Sequence, residues 1–229
     1  MTSSNLSAGA RPFDLVIFDC DGVLVDSERI ANRAFASLLR EIGLDFTLPE
    51  MIDTFVGNSM PRCVEIITER LGHAPPDDLL DRYAEVTRAA LVSELEPVPG
   101  IAELLDALDD ADIPYVVASN GEHAKMETTL GVTGLLARFD GRRFSSMDVP
   151  RPKPAPDLFL HAARHMGIPP ARCVVIEDSP LGIQGARAAG MTVIGYADLM
   201  PAARLESAGA NFVVDNVSKL AALLRVVAG

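Results

Sequence analysis

Three short apolar runs, each ending on polar side chains, constrain the fold more than any other feature of the sequence. Leu15-Val16-Ile17-Phe18 runs into Asp19, Tyr115-Val116-Val117-Ala118 into Ser119, and Cys173-Val174-Val175-Ile176 into Glu177 and Asp178. Each reads as a buried strand bounded by a turn. From Glu96 onward such runs alternate with helical segments. Strands alternating with helices require right-handed crossovers and a parallel sheet. In an open parallel sheet, ligands bind beyond the carboxyl ends of the strands. The polar residues ending these runs are therefore the first candidates for a site.

The stretch after the first strand follows a different period. Ile30, Ala34, Phe35, Leu38, Leu39 and Ile42 form one apolar helical stripe. Further helices are expected over 48–55 and 60–71 and from Asp77 onward, with Gly43, Gly57 and Gly72 as stops. About seventy residues without a convincing strand predict an inserted helical cap. The expected organisation is an α/β, Rossmann-like core of 13–27 plus 97–229, a helical cap at 28–96 and a frayed tail at 1–12. Within the core, helices are expected over 101–109, 122–130, 155–166 and 179–189. A weak strand is expected over 139–144, and short strands over 192–195 and 212–214.

Composition narrows the function classes. A net charge of −12 argues against nucleic acid or an anionic membrane surface as partner. It leaves room for a small anionic substrate, because a local metal and one lysine outweigh distant surface charge. No apolar run approaches the ~18 residues of a membrane span, and the tail lacks the apolar core of a signal peptide. A cytoplasmic monomer is expected. Cys20, Cys63 and Cys173 are odd in number and far apart, which suits packing better than a disulfide framework or a zinc site.

Chemistry gathers at the strand ends. Asp19 and Asp21 stand one residue apart and repel unless a cation, a proton or hydrogen bonds relieve them. A metal site, an acid/base pair and a nucleophile all fit them. Ser119 and Asn120 open a helix whose first amides suit an anion. Lys153 is held between Pro152 and Pro154, and Glu177-Asp178 ends an apolar strand where bare carboxylates are costly. Hard oxygen donors suit Mg2+ better than zinc, and a carboxylate is a competent nucleophile towards phosphorus. The chain has no phosphate-binding Gly-x4-Gly-Lys-Ser/Thr loop, and His161 and His165 lack the glutamate of a zinc-protease helix. They read as surface residues, His123 as a residue just after Ser119 within reach of substrate, and Gly182-x-x-Gly185 as close helix packing.

These residues resemble the haloacid dehalogenase superfamily, in the branch with a helical cap after the first strand. Asp19-Cys-Asp21-Gly-Val-Leu-Val-Asp26-Ser27, Ser119-Asn120, Lys153-Pro154 and Glu177-Asp178-Ser179 resemble its four motifs in order. The resemblance implies that Asp19 attacks phosphorus and that Asp21 exchanges the protons. It implies that Ser119 and the Asn120 amide bind the phosphoryl group and that Lys153 neutralises it. Asp19, Asp178 and the Asp21 carbonyl would hold Mg2+, with Glu177 a ligand or bonded to metal-bound water.

Departures from related branches narrow the reaction. Dehalogenases lack the second aspartate, present here as Asp21, and the cap has no lysine for a Schiff base. Ala31 and Met60 stand where β-phosphoglucomutases carry histidine and arginine. The expectation is a Mg2+-dependent phosphatase of small phosphorylated metabolites, sugar phosphates first among them, with a hexose-phosphate mutase as the alternative. Segments 119–126 and 153–161 are similar to the bacterial 6-phosphogluconate phosphatases of this branch. Specificity is expected from the cap loop 57–62, with Asn58 and Arg62 as its polar candidates, and from the first cap helix.

Overall fold

The computed structural model describes residues 12–56, 58 and 60–226. All of the expected tail but Pro12, and Gly57 and Ser59 of the cap loop, lie outside the described residues. Strands β1 (Leu15–Phe18), β2 (Tyr115–Ser119), β3 (Arg143–Ser145), β4 (Cys173–Glu177), β5 (Thr192–Tyr196) and β6 (Phe212–Val214) form one parallel sheet. Their order is β3-β2-β1-β4-β5-β6, so the direction of winding reverses between β1 and β4. That reversal opens a crevice at the carboxyl ends of the two central strands. The register pairs Phe18 with Ile176 and with Val117, which brings Asp19, Ser119 and Glu177 to one edge.

The strands are apolar on both faces because both are covered. Val16 and Phe18 share a buried cluster with Tyr115, Val117 and Ile176, whereas Leu15 and Ile17 point into the opposite cluster with Val116 and Val175. This is the two-residue alternation of a doubly covered sheet.

The inserted region is helical: α1 (Ser27–Glu41), α2 (Leu48–Phe55), α3 (Met60–Leu71) and α4 (Leu79–Glu94). Thr47 and Glu50 cap α2 reciprocally, which stabilises its first turn. These helices carry their own apolar cluster around Phe35, Leu39, Met51, Phe55 and Ile67. The chain enters and leaves the cap side by side: Asp26 N donates to Glu96 O and Val98 N to Leu24 O, both at 3.0 Å. Arg29 pairs with Asp198 at 2.6 Å, and Arg204 donates to Val56 O at 2.9 Å, so core and cap also touch at the far side.

In the core, α5 (Ile101–Asp110), α6 (His123–Val132), α7 (Asp157–His165), α8 (Pro180–Ala188), α9 (Ala202–Ser207) and α10 (Val217–Leu224) cover the sheet. Helices α5, α6 and α10 pack on one face and α7, α8 and α9 on the other. One strand differs from expectation. Leu136–Phe139 is a 3-10 turn, and β3 begins only at Arg143. Gly141, at φ 66°, turns the chain between them, so buried Phe139 packs from the turn rather than from a strand. Among the described residues, no helix is long and apolar enough to cross a membrane.

Candidate active site

Seven of the residues singled out in the sequence line one cavity of about 360 Å3: Asp19, Asp21, Ser119, Asn120, Lys153, Glu177 and Asp178. Lys153 is central. Its ammonium, 3% exposed, donates to Asp19 Oδ1 at 2.5 Å and also to Glu177 Oε1. A buried cation between two buried carboxylates is tolerable only when all three are paired. Asn120 fixes the lysine in place: Lys153 N donates to Asn120 Oδ1 at 3.0 Å and Asn120 Nδ2 to Lys153 O at 3.3 Å. Expected only as an amide donor, Asn120 thus also clamps the backbone of the next motif.

Each carboxylate has a defined neighbourhood. Both oxygens of Glu177 are engaged, one by Lys153 and the other by the Ser179 amide (3.1 Å) and hydroxyl (2.9 Å). Glu177 fits because residue 182 is glycine; a Cβ there would overlap its carboxylate. Gly185 lets α8 approach the carbonyls of Pro154 and Ala155, as close helix packing requires. Gly22, at φ 75°, turns β1 away from the sheet, and a Cβ there would overlap Asp178 Oδ2. Asp21 accepts from Ser27 Oγ and from Lys125 Nζ, each at 2.7 Å. Ser119 Oγ accepts from the Gly121 amide at 3.0 Å, which leaves its own hydrogen to donate.

Electrostatics marks the same place. Burial pushes the Asp19 carboxyl up to about 7; Lys153 opposes this and Glu177 adds to it. Burial, with Asp19 and Glu177 beside it, also raises Asp178 well above the ordinary carboxylate range. Burial alone would lower Lys153, but Asp19 and Glu177 more than offset it, so the ammonium is held above its usual range. Cys20, between the two aspartates, is pushed far up by burial and by both carboxylates and is no nucleophile. Cys63 and Cys173 are likewise buried free thiols.

One oxygen from each of Asp19, Glu177 and Asp178 lies within 4.8 Å of the others. An all-oxygen cluster of mutually repelling carboxylates, two buried and one partly so, fits a hard divalent cation such as Mg2+.

The sequence profile of haloacid dehalogenase-like hydrolases matches residues 13–190. The chain belongs to this family. It is an enzyme of the phosphoric monoester hydrolase type found there, and its acidic triad is positioned for Mg2+. This haloacid dehalogenase-like hydrolase is 35% identical to the 6-phosphogluconate phosphatase of Escherichia coli K12, over 80% of this chain and 82% of that protein. It is also 35% identical to the fructose-1-phosphate phosphatase of the same organism, over 78% of this chain and 94% of that protein. A haloacid dehalogenase family hydrolase from Deinococcus radiodurans R1, solved with bound phosphate and sodium, superposes with a TM-score of 0.85 at 36% identity. It covers 94% of this chain and 97% of that one.

The two cap residues expected to set specificity do not line the cavity. Asn58 Nδ2 donates back to Thr54 O at 2.8 Å, and Arg62 pairs with Glu65 at 2.8 Å and lies 3.6 Å from Glu69. Val56, just before their loop, does line it. His123 pairs with Asp148 at 2.8 Å and lines a separate surface hollow with His161 and His165. Two charged residues that line the cavity carried no expectation: Glu28, in the first turn of α1, and Lys125, in the first turn of α6. The signal for Lys125 was available, since it is one of only three lysines and follows Ser119-Asn120 closely.

Proposed function

We propose that this hydrolase cleaves monoesters of small phosphorylated metabolites, sugar phosphates first among them, through a phosphorylated Asp19. The observation that carries the reading is the meeting of Asp19, Asp21, Ser119, Lys153 and Asp178 around one small cavity at the sheet reversal. The similarity to phosphatases of 6-phosphogluconate and fructose 1-phosphate supports the substrate class.

Asp19 attacks phosphorus and the ester P–O bond breaks. Asp21 gives its proton to the departing oxygen, then takes one from the water that displaces Asp19 from phosphorus. Ser119 Oγ and the Asn120 amide donate to the phosphoryl oxygens, and Lys153 neutralises them. Asp19, Asp178 and the Asp21 carbonyl are the ligands proposed for Mg2+. Glu177, with both oxygens engaged, acts through water and by anchoring Lys153. Bound there, Mg2+ supplies the charge stabilisation that phosphoryl transfer mostly requires.

The proposed division is a core of 13–27 and 97–229 with a cap at 28–96, supported by the paired crossing segments. The loop bearing Asn58 and Arg62 is the cap's proposed contribution to specificity, reached by cap movement. We place the enzyme in the cytoplasm as a monomer without a nucleic-acid partner.

Phosphate release from a panel of monoesters, with Mg2+ and with EDTA, tests the reading: hydrolysis of sugar phosphates only with Mg2+ is expected. No release from any ester sinks it, and bisphosphate-dependent interconversion of sugar phosphates would mark a mutase.

Metal dependence is expected in stability as well. The folded Asp19 pKa is raised to about 7 from 3.8, so the metal-free folded state binds more protons than the unfolded chain between these values. Stability is then full below about pH 4 from this group and is lost as pH rises through about 7. The rise in Tm on adding Mg2+ is expected to be larger at pH 7.5 than at pH 5, as read by thermal melts against EDTA controls. An equal rise at both would contradict it.

A further inference from the structure

Asp21 is held from two sides in this structure. Ser27 takes Oδ1 and Lys125 takes Oδ2. The serine belongs to the segment leading into the cap, and its bond is short-range in sequence. The lysine comes from α6, on the far wall, and its side chain is half exposed.

Lys125 stands where two cavities meet. One is the phosphoryl site. The other, about 850 Å3, lies between α4 and α6, with Met60, Leu80, Tyr83 and Leu91 on its apolar wall. Its charged groups are Lys125, Arg88 and Glu122. The phosphoryl cavity, by contrast, adds only the acid Glu28 to Asp19, Asp21, Glu177 and Asp178, against Lys125 and Lys153. Lys153 is saturated by two buried carboxylates. An anionic group on the rest of a substrate therefore meets Lys125 first, with Arg88 on the cavity lining beyond it.

We infer that Lys125 is a specificity-determining residue that reads an acidic group at the end of the substrate remote from its phosphate. The inference rests on the phosphatase reading above and adds the substrate class: phosphomonoesters of sugar acids. With phosphorus at Asp19, the rest of the ester runs past Asp21 into the cavity between α4 and α6. There its carboxylate takes the Lys125 ammonium from Asp21 Oδ2. That oxygen is then open to face the ester oxygen. A neutral sugar phosphate offers nothing in exchange and leaves Lys125 on Asp21. Recognition of the distant acid is in this way coupled to the freedom of the proton carrier.

The test compares kcat/KM for 6-phosphogluconate and glucitol 6-phosphate, which share chain length and phosphate and differ by a carboxylate. A charge-assisted contact predicts that the wild type favours the acid by about tenfold or more. Lys125→Gln is expected to bring the ratio close to one, and Lys125→Arg, which keeps the charge, to restore most of it. A ratio unchanged in Lys125→Gln, or no preference in the wild type, overturns the inference and leaves the phosphatase reading intact. Failure of both esters and of every other monoester sinks the phosphatase reading instead. A second measurement needs only the wild type: gluconate is expected to inhibit hydrolysis about tenfold more strongly than glucitol. Equal inhibition by the two overturns the inference.

Discussion

Asp19→Asn is expected to abolish phosphate release, lowering kcat by on the order of 10^4-fold or more, while the protein stays folded. Asparagine keeps the shape of the side chain but is no nucleophile towards phosphorus. The fold tolerates the change because one of three crowded acidic groups becomes neutral. Asp19 is the group whose carboxyl burial raises to about 7, and Lys153 keeps Glu177 as its partner. Phosphate release under single-turnover conditions, with circular dichroism on the same sample, checks both halves. Activity within tenfold of wild type would remove Asp19 from the role of nucleophile.

Lys153→Met is expected to damage stability and catalysis together. The ammonium is nearly inaccessible and is the cation shared by Asp19 and Glu177. Removing one member of a buried ionic cluster typically costs about 3–5 kcal/mol, because the remaining charges are left uncompensated. Loss of a positive charge beside the transferring group adds a fall in kcat of about 10^2–10^3-fold. The direction of the pH response is fixed by the same carboxylates. Asp19 and Asp178 take up protons readily in the folded state, so the variant recovers stability as pH falls towards 5. Urea unfolding at pH 5 and pH 7.5 measures this. A variant as stable as wild type at pH 7.5 would contradict the clamp described for Lys153. Lys153→Arg is not expected to rescue it, because Asp19 and Glu177 are fitted around a compact ammonium rather than a planar fork.

Most of the core and the centre of the site were legible because they rest on local signals. Apolar runs with polar ends located β1, β2 and β4, and the motif residues fell at their carboxyl ends, where sheet topology brings Asp19, Ser119 and Glu177 together. The two stops around helix α3, and the apolar stripe of α1, gave the cap its helices. What could not be read depends on distant partners. Lys153 meets an aspartate 134 positions away, and Lys125 meets one 104 positions away; neither spacing leaves a local pattern. Asn120 looked like a helix-opening residue, and only the fold shows its side chain locking Lys153. Arg62 looked free to meet substrate, but Glu65 and Glu69 on its own helix engage it. The displaced β3 has a local cause: the Asp140-Gly141 turn falls inside the stretch 139–144, and only its end, from Arg143, pairs with β2.

The central claim is that the phosphoryl group passes through Asp19 before it reaches water. The stereochemical course at phosphorus tests it most directly. Hydrolysis of a phosphorothioate monoester made chiral at phosphorus by two oxygen isotopes, in water of the third, yields chiral inorganic thiophosphate. Two successive in-line displacements, first by Asp19 and then by water, give net retention, which is the predicted result. Net inversion would mean that water attacks the ester directly, and would contradict the account.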